Sequence, residues 1–171
     1  MLTSILYRYG QALGPVQGVG YINELLARLT VQPVQDHTQT NSTLDSSPVT
    51  FPLNRTIYAD FSHDNQMIAI FAAMGLFSQD RALDPLRLDP TRTWVVSKMV
   101  PFSGRMIVEK LQCFTAVHTE EEFVRILVND ALQPLKFCDA DLNGLCRLKA
   151  FVNSQVYSRS DGAGDIQKCF D

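Results

Sequence analysis

Apolar residues recur at helical spacing over residues 14–30, where Val19, Ile22, Leu26 and Leu29 share one face with Leu25 beside them. That period predicts an amphipathic helix, and Pro15 suits its first turn. Residues 31–54 are rich in Ser, Thr, Gln and Pro and read as a long polar surface loop, a length that is often functional. Residues 56–62 are β-branched and aromatic and predict a buried strand. Ser62 or Asp64 can cap the next helix, which runs to about residue 76 through Met67, Ile68, Ile70, Phe71 and Met74. A helix apolar nearly all round is a buried one. After a loop over 78–92, with Asp84-Pro85 and Asp89-Pro90 turns, residues 94–100, 105–113 and 123–128 alternate well enough for strands. The last is followed by a turn at Asn129-Asp130. Residues 148–157 predict a short helix, and the tail with Gly162 and Gly164 reads as irregular up to Cys169.

Composition narrows the picture. At 171 residues with 46% apolar content, one domain with a proper core is expected. The net charge of −3, with Lys and Arg scattered, carries no basic stripe, so nucleic-acid binding is a poor reading. No apolar run is long enough to span a bilayer, and the first eight residues lack the pattern of a signal peptide. Gly18-Val19-Gly20 is no dinucleotide fingerprint, because Asn23 stands at the third glycine position and no strand precedes it. Asn41-Ser42-Thr43 and Asn54-Arg55-Thr56 are glycosylation sequons at Asn41 and Asn54 in polar sequence, which points outside the cell.

The four cysteines are Cys113, Cys138, Cys146 and Cys169. Cys138 and Cys146 bracket a turn-rich stretch with Asp139, Asp141, Asn143 and Gly144 that a disulfide can close. Zinc is the rival use, but no C-x-x-C occurs and the histidines lie elsewhere, so no metal is expected. Buried free thiols are the third option.

The run Tyr58-Ala59-Asp60-Phe61-Ser62-His63-Asp64-Asn65 carries the chemistry. It sets a histidine and a carboxylate side by side between a strand-like and a helix-like segment, where an open α/β sheet presents its ligand site. Phosphate-monoester hydrolysis needs a nucleophile, cations around the phosphoryl oxygens, and an acid for the leaving oxygen. A carboxylic acid at a helix start can be that acid. An ordinary aspartic acid titrates at roughly 3.9, so an enzyme relying on one works best in acid. A protonated histidine beside it can hydrogen-bond a phosphate oxygen, and helix N-terminal amides add donors. The competing explanation is that Asp, Ser and Asn before an apolar helix are ordinary N-caps. Ser62, His63 and Asp64 do not form a triad, since consecutive residues of an extended segment point to opposite sides.

The wider sequence resembles fungal phytases, the secreted branch of the histidine acid phosphatases. The resemblance rests on residues 13–25 (Leu13-Gly14-Pro15 through Asn23-Glu24-Leu25), Phe51-Pro52-Leu53-Asn54, Tyr58 through Asn65, Pro101-Phe102-Ser103-Gly104-Arg105, Gln112-Cys113, residues 124–130, the cysteine loop and the closing Cys169-Phe170.

The resemblance implies an α/β fold: a histidine-phosphatase-type domain with a parallel sheet, here incomplete, with the C-terminal strands and covering helices only. It implies hydrolysis of phosphomonoesters such as phytate through a phosphohistidine, with no metal or cofactor, in a secreted parent protein. Asp64 would be the proton donor and His63 a phosphate ligand. The family nucleophile lies in an Arg-His-Gly-x-Arg-x-Pro motif that these 171 residues do not contain, and His37 and His118 stand in no such context. The missing N-terminal half of the same fold is the expected partner. Cys138 and Cys146 would pair with each other, and Cys113 and Cys169 with cysteines of that half. Arg8 is the one candidate for the cationic rim that holds phytate. The alternative is a non-catalytic remnant acting as a phosphate-binding or regulatory module.

Overall fold

The computed structural model describes residues 13–79, 83–84, 86–114 and 120–169, Cys169 by its backbone alone. Two compact units emerge: Met1–Pro101 with Tyr157–Asp171, and Phe102–Val156.

In the first unit, Pro15 precedes a 3-10 turn, Val16–Gly18, that runs into helix α1, Val19–Thr30. Val19, Ile22, Leu25, Leu26 and Leu29 are all buried, as their spacing predicts. The helix stops where Val31 turns left-handed, with φ 55°. Residues 31–54 form the expected polar loop, interrupted by one four-residue turn of helix, α2, Ser42–Asp45, which the Asn41 side chain caps by accepting from the Thr43 and Leu44 N–H groups. Helix α3 spans Asp64–Met74, and every residue from Ile68 to Met74 is buried. Gly75, at φ 84°, closes it with the left-handed cap that glycine adopts without a Cβ penalty. Phe71, wholly buried, meets Phe77 edge to face at 5.5 Å. The 3-10 turn and α1 lie against α3, closely enough at Gly18 that an added Cβ would fall 2.4 Å from the Ala69 carbonyl oxygen.

Asp36 organises the first part of the loop. Its Oδ2 accepts the backbone N–H groups of Thr38, Gln39 and Thr40, each at 3.0 Å, and Oδ1 accepts Asn23 Nδ2 at 2.8 Å. Asn23 also donates to the Ser158 carbonyl at 3.0 Å, tying the loop to the tail. Burial is the largest single influence on the carboxyl and raises its pKa. The bonds from Thr40, Asn23, Gln39 and Thr38 together outweigh it and bring the value down to about 2. The folded value lies below the unfolded one of roughly 3.9. The stabilisation is therefore whole above pH ~4 and is lost as pH falls towards 2. Asp36 is half-exposed, so about 1 kcal/mol is expected after solvent screening. Asp36→Asn should lose that at pH 7 in urea denaturation, and the gap from the parent chain should close between about pH 4 and 2.

Two expected strands are not strands. Residues 56–62 join no ladder; Ile57 and Phe61 are exposed, the latter 99%. A buried strand needs neighbours for its backbone groups and side chains, and no strand among the described residues lies alongside this one. Over 94–100, helix α4, Val96–Met99, forms instead. There Val95 accepts the N–H groups of Lys98 and Met99, and Val96 that of Val100. Local bonds satisfy the backbone, while Trp94 and Met99 take the buried positions.

The second unit is a sheet with one covering helix. Strand β1, Met106–Phe114, pairs antiparallel with β2, Glu120–Val128, along its full length, from Met106 opposite Val128 to Phe114 opposite Glu120. Asn129 and Asp130, at φ 50° and 64°, make the two-residue turn into β3, Ala131–Leu132. Positive φ at both central positions is the hairpin turn matched to strand twist. The short strand β4, Cys146–Arg147, also pairs with β2. Val124, Ile126 and Val128 of β2 are buried, as is Phe151 of the following helix α5, Leu148–Ser154. The parallel sheet implied by the resemblance is not seen here: every ladder among the described residues is antiparallel. The connections from β1 to β2 and from β2 to β3 are too short for the crossover that parallel pairing requires. The predicted helix over 148–157 divides into α5 and the turn α6, Val156–Arg159, and the tail forms kinked 3-10 turns over Asp161–Cys169.

A disulfide joins Cys138 and Cys146, whose Cα atoms are 6.0 Å apart. Inside its loop Asp141 Oδ1 accepts the Asn143 and Leu145 N–H groups, and Gly144 takes φ +72° against Leu132. Closing so short a loop contributes about 2–3 kcal/mol in the chain-entropy account. The double change Cys138→Ser with Cys146→Ser should therefore lower stability by about 2 kcal/mol, measured against the parent chain under non-reducing conditions.

Candidate active site at the start of the buried helix

His63 and Asp64 stand at the N-terminus of α3, and both are exposed. The buried stretch from Ile68 to Met74 makes the helix a firm base for them. His63 is the N-cap residue, extended at φ −116°, ψ 163°, and its carbonyl accepts the Met67 N–H at 3.0 Å. Its ring makes no capping bond. The capping explanation of the motif holds in part: the Asp64 and Asn65 side chains satisfy first-turn N–H groups, while Ser62 and the His63 ring do not. Ser62 donates its hydroxyl to Gln66 Oε1 at 2.9 Å and does not cap. Asp64 Oδ1 accepts only the N–H of the next residue, Asn65, at 2.8 Å, and Asn65 Oδ1 accepts that of Gln66 at 2.9 Å. Asp64 Oδ2 has no hydrogen bond among the described residues. The same bonds occupy two helix N–H groups that the sequence reading left open to a phosphate.

The approach to this pair is held from α1. Arg28 donates to both oxygens of Asp60, Nη1 to Oδ2 at 2.6 Å and Nη2 to Oδ1 at 3.3 Å. Its guanidinium carbon lies 5.0 Å from the ring centres of both Phe51 and Tyr58. Glu24, one turn back, is 3.9 Å away. Burial, then the Asp60 charge, pushes the neighbouring Tyr21 phenol up to about 12, with Arg28 opposing. Burial and the charge of Asp45 raise the Glu24 carboxyl, again against Arg28. Burial disfavours the Arg28 cation most strongly, but its bond to and charge attraction for Asp60, with Glu24, outweigh this and raise its pKa. The sequence reading missed this cluster. Its one sequence signal is the Glu24-Arg28 spacing, which puts opposite charges on adjacent turns.

The other candidates lie apart. Asn41 and Asn54 are exposed in the polar loop, Asn41 also serving as the cap of α2. His37 pairs with Asp161, Nδ1 to Oδ2 at 3.0 Å. Cys113 is a half-buried free thiol. Arg8, His118 and the Cys169 side chain lie outside the described residues. Among the described residues no group of three His, Cys, Asp or Glu side chains is placed to hold a metal, and no helix is long and apolar enough to cross a membrane.

Residues 2–129 match the family described as Histidine phosphatase superfamily (branch 2). Phytase A of Aspergillus oryzae is 47% identical over 167 residues, which covers 96% of this chain and 35% of that protein. Phytase A of Arthroderma benhamiae is 45% identical over 159 residues, 91% of this chain and 35% of that protein. Phytase A of Aspergillus fumigatus is 47% identical over 167 residues, with 96% and 35% covered. The chain thus spans about a third of the length of the curated relatives it matches.

Proposed function

The chain belongs to branch 2 of the histidine phosphatase superfamily, and on that premise we propose that it supplies the proton donor and one phosphate ligand of a phosphomonoester hydrolase acting on phytate. The observation that supports this most directly is Asp64, exposed on a buried helix, with one carboxylate oxygen uncommitted beside the exposed His63. In the reaction the bond between phosphorus and the ester oxygen breaks. Asp64 gives its proton to the departing alkoxide while His63 donates a hydrogen bond to a phosphoryl oxygen. The nucleophile is the histidine of the family's Arg-His-Gly motif, which forms the phosphohistidine and stands outside these 171 residues. The chain by itself is therefore expected to be inactive. The exposed sequons at Asn41 and Asn54 and the Cys138–Cys146 disulfide fit a secreted protein.

A hybrid tests the reading: this chain replaces the matching residues of Phytase A from Aspergillus oryzae. It should release phosphate from phytate, while the 171-residue chain alone should release none. A hybrid that folds, by circular dichroism and a cooperative melt, but releases no phosphate would overturn the proposal.

A further inference from the structure

The segment that delivers His63 and Asp64 has no ladder to hold it. Among the described residues the backbone of residues 56–62 pairs with no strand. Ser62 bonds Gln66 at the α3 end of the segment, and Arg28 of α1 grips it at Asp60. We propose that Arg28, through Asp60, is the positioning residue of the His63–Asp64 site, a role that rests on the reading of those two residues given above.

The geometry carries the assignment. Asp60 is three residues before His63, and Arg28 grips both of its oxygens. Tyr58 and Phe51, near the two ends of the stretch leading to the site, lie on the same guanidinium. Tyr58 also accepts the Arg55 N–H on its hydroxyl at 3.1 Å, closing the turn between them. Arg28 is anchored on a helix whose inner face is buried, and its own side chain is only 14% exposed. Arg28 thus ties the approach segment to α1.

Arg28 is not placed as a phosphate ligand. Asp60 and Glu24 flank its charge, two rings cover it, and its Nε is buried without a partner among the described residues. Nor can lysine replace it. An ammonium neither forks onto a carboxylate nor stacks between two rings.

In the hybrid enzyme, Arg28→Met and Arg28→Lys should each lower kcat on phytate about 10- to 100-fold, with KM changed less, because a misplacement near 1 Å costs on that order. The loss should be smaller on p-nitrophenyl phosphate, whose leaving group needs little protonation. Adding Asp64→Asn to Arg28→Met should cost less than the product of the two single losses, since residues acting through one another are not additive. A purely structural role predicts equal losses on both esters and additive losses in the double variant. That result overturns the proposal while leaving the acid role of Asp64 intact. Full activity in Asp64→Asn sinks the underlying reading instead. If Arg28→Met does not fold, Asp60→Asn removes the same contact from its more exposed side and must show the same ester dependence and the same non-additivity; otherwise the proposal fails.

Discussion

Asp64→Asn in the hybrid enzyme should lower kcat on phytate by about 10²- to 10⁴-fold, the range supplied by a positioned general acid. The amide keeps the size of the side chain and can still accept the Asn65 N–H, so the helix start should be unaffected and the melting temperature nearly unchanged. What is lost is the proton. An inositol alkoxide is a poor leaving group and needs that proton as the P–O bond breaks, whereas p-nitrophenolate departs without it. The defect should therefore be large on phytate and small on p-nitrophenyl phosphate. His63→Ala should behave differently. It removes a hydrogen bond to phosphate that both esters use, so both should suffer alike. Phytate turnover and the ratio of the two esters, measured side by side, check this. Equal losses on both esters in Asp64→Asn would remove Asp64 from the role of acid.

What the sequence revealed, and what it hid, divides along a physical line. The period of 3.6 located α1, with Val19, Ile22 and Leu26 buried, and the all-round apolar run located α3. Both signals are local, and both elements satisfy their own backbone. The hairpin turn at Asn129-Asp130 was equally plain, because left-handed backbone at two successive positions selects such residues. Residues 56–62 carry strand composition, yet a strand is a property of two segments. β2 begins at Glu120, three residues before the alternation shows it, because Lys110, Gln112 and Arg147 neutralise or bond the acidic residues Glu122, Glu120 and Glu121 across the sheet. A pattern of apolar residues cannot register such pairs. The site shows the same division. The candidate pair His63 and Asp64 stands out in the sequence because the two adjoin. Arg28 does not, because its partners lie at 51, 58 and 60, and only the folded loop brings them to it.

Gly18→Ala should destabilise the first unit by about 3 kcal/mol, at the upper end of what overpacking costs. The backbone at Gly18 is ordinary right-handed helix, φ −91°, ψ −12°. On conformational entropy alone, alanine there should stabilise by about 0.4–1 kcal/mol. Space decides the sign. The new Cβ would lie 2.4 Å from the Ala69 carbonyl oxygen, 2.8 Å from its carbonyl carbon and 2.7 Å from Ala73 Cβ. Two of these are backbone atoms of α3, which no rotamer change moves aside. The helices must separate, and the buried contacts around Ile22, Ile68 and Phe71 loosen with them. Because α3 carries Asp64 at its first residue, the same displacement reaches the site, so the hybrid should lose more kcat than its folded fraction accounts for. Urea denaturation of the variant checks the energy. Adding Ala73→Gly to Gly18→Ala should recover only part of the loss, since it relieves the Cβ contact and leaves the carbonyl clash. Full recovery would mean that the Ala69 backbone gives way freely, and that Gly18 does not set the distance between the two helices.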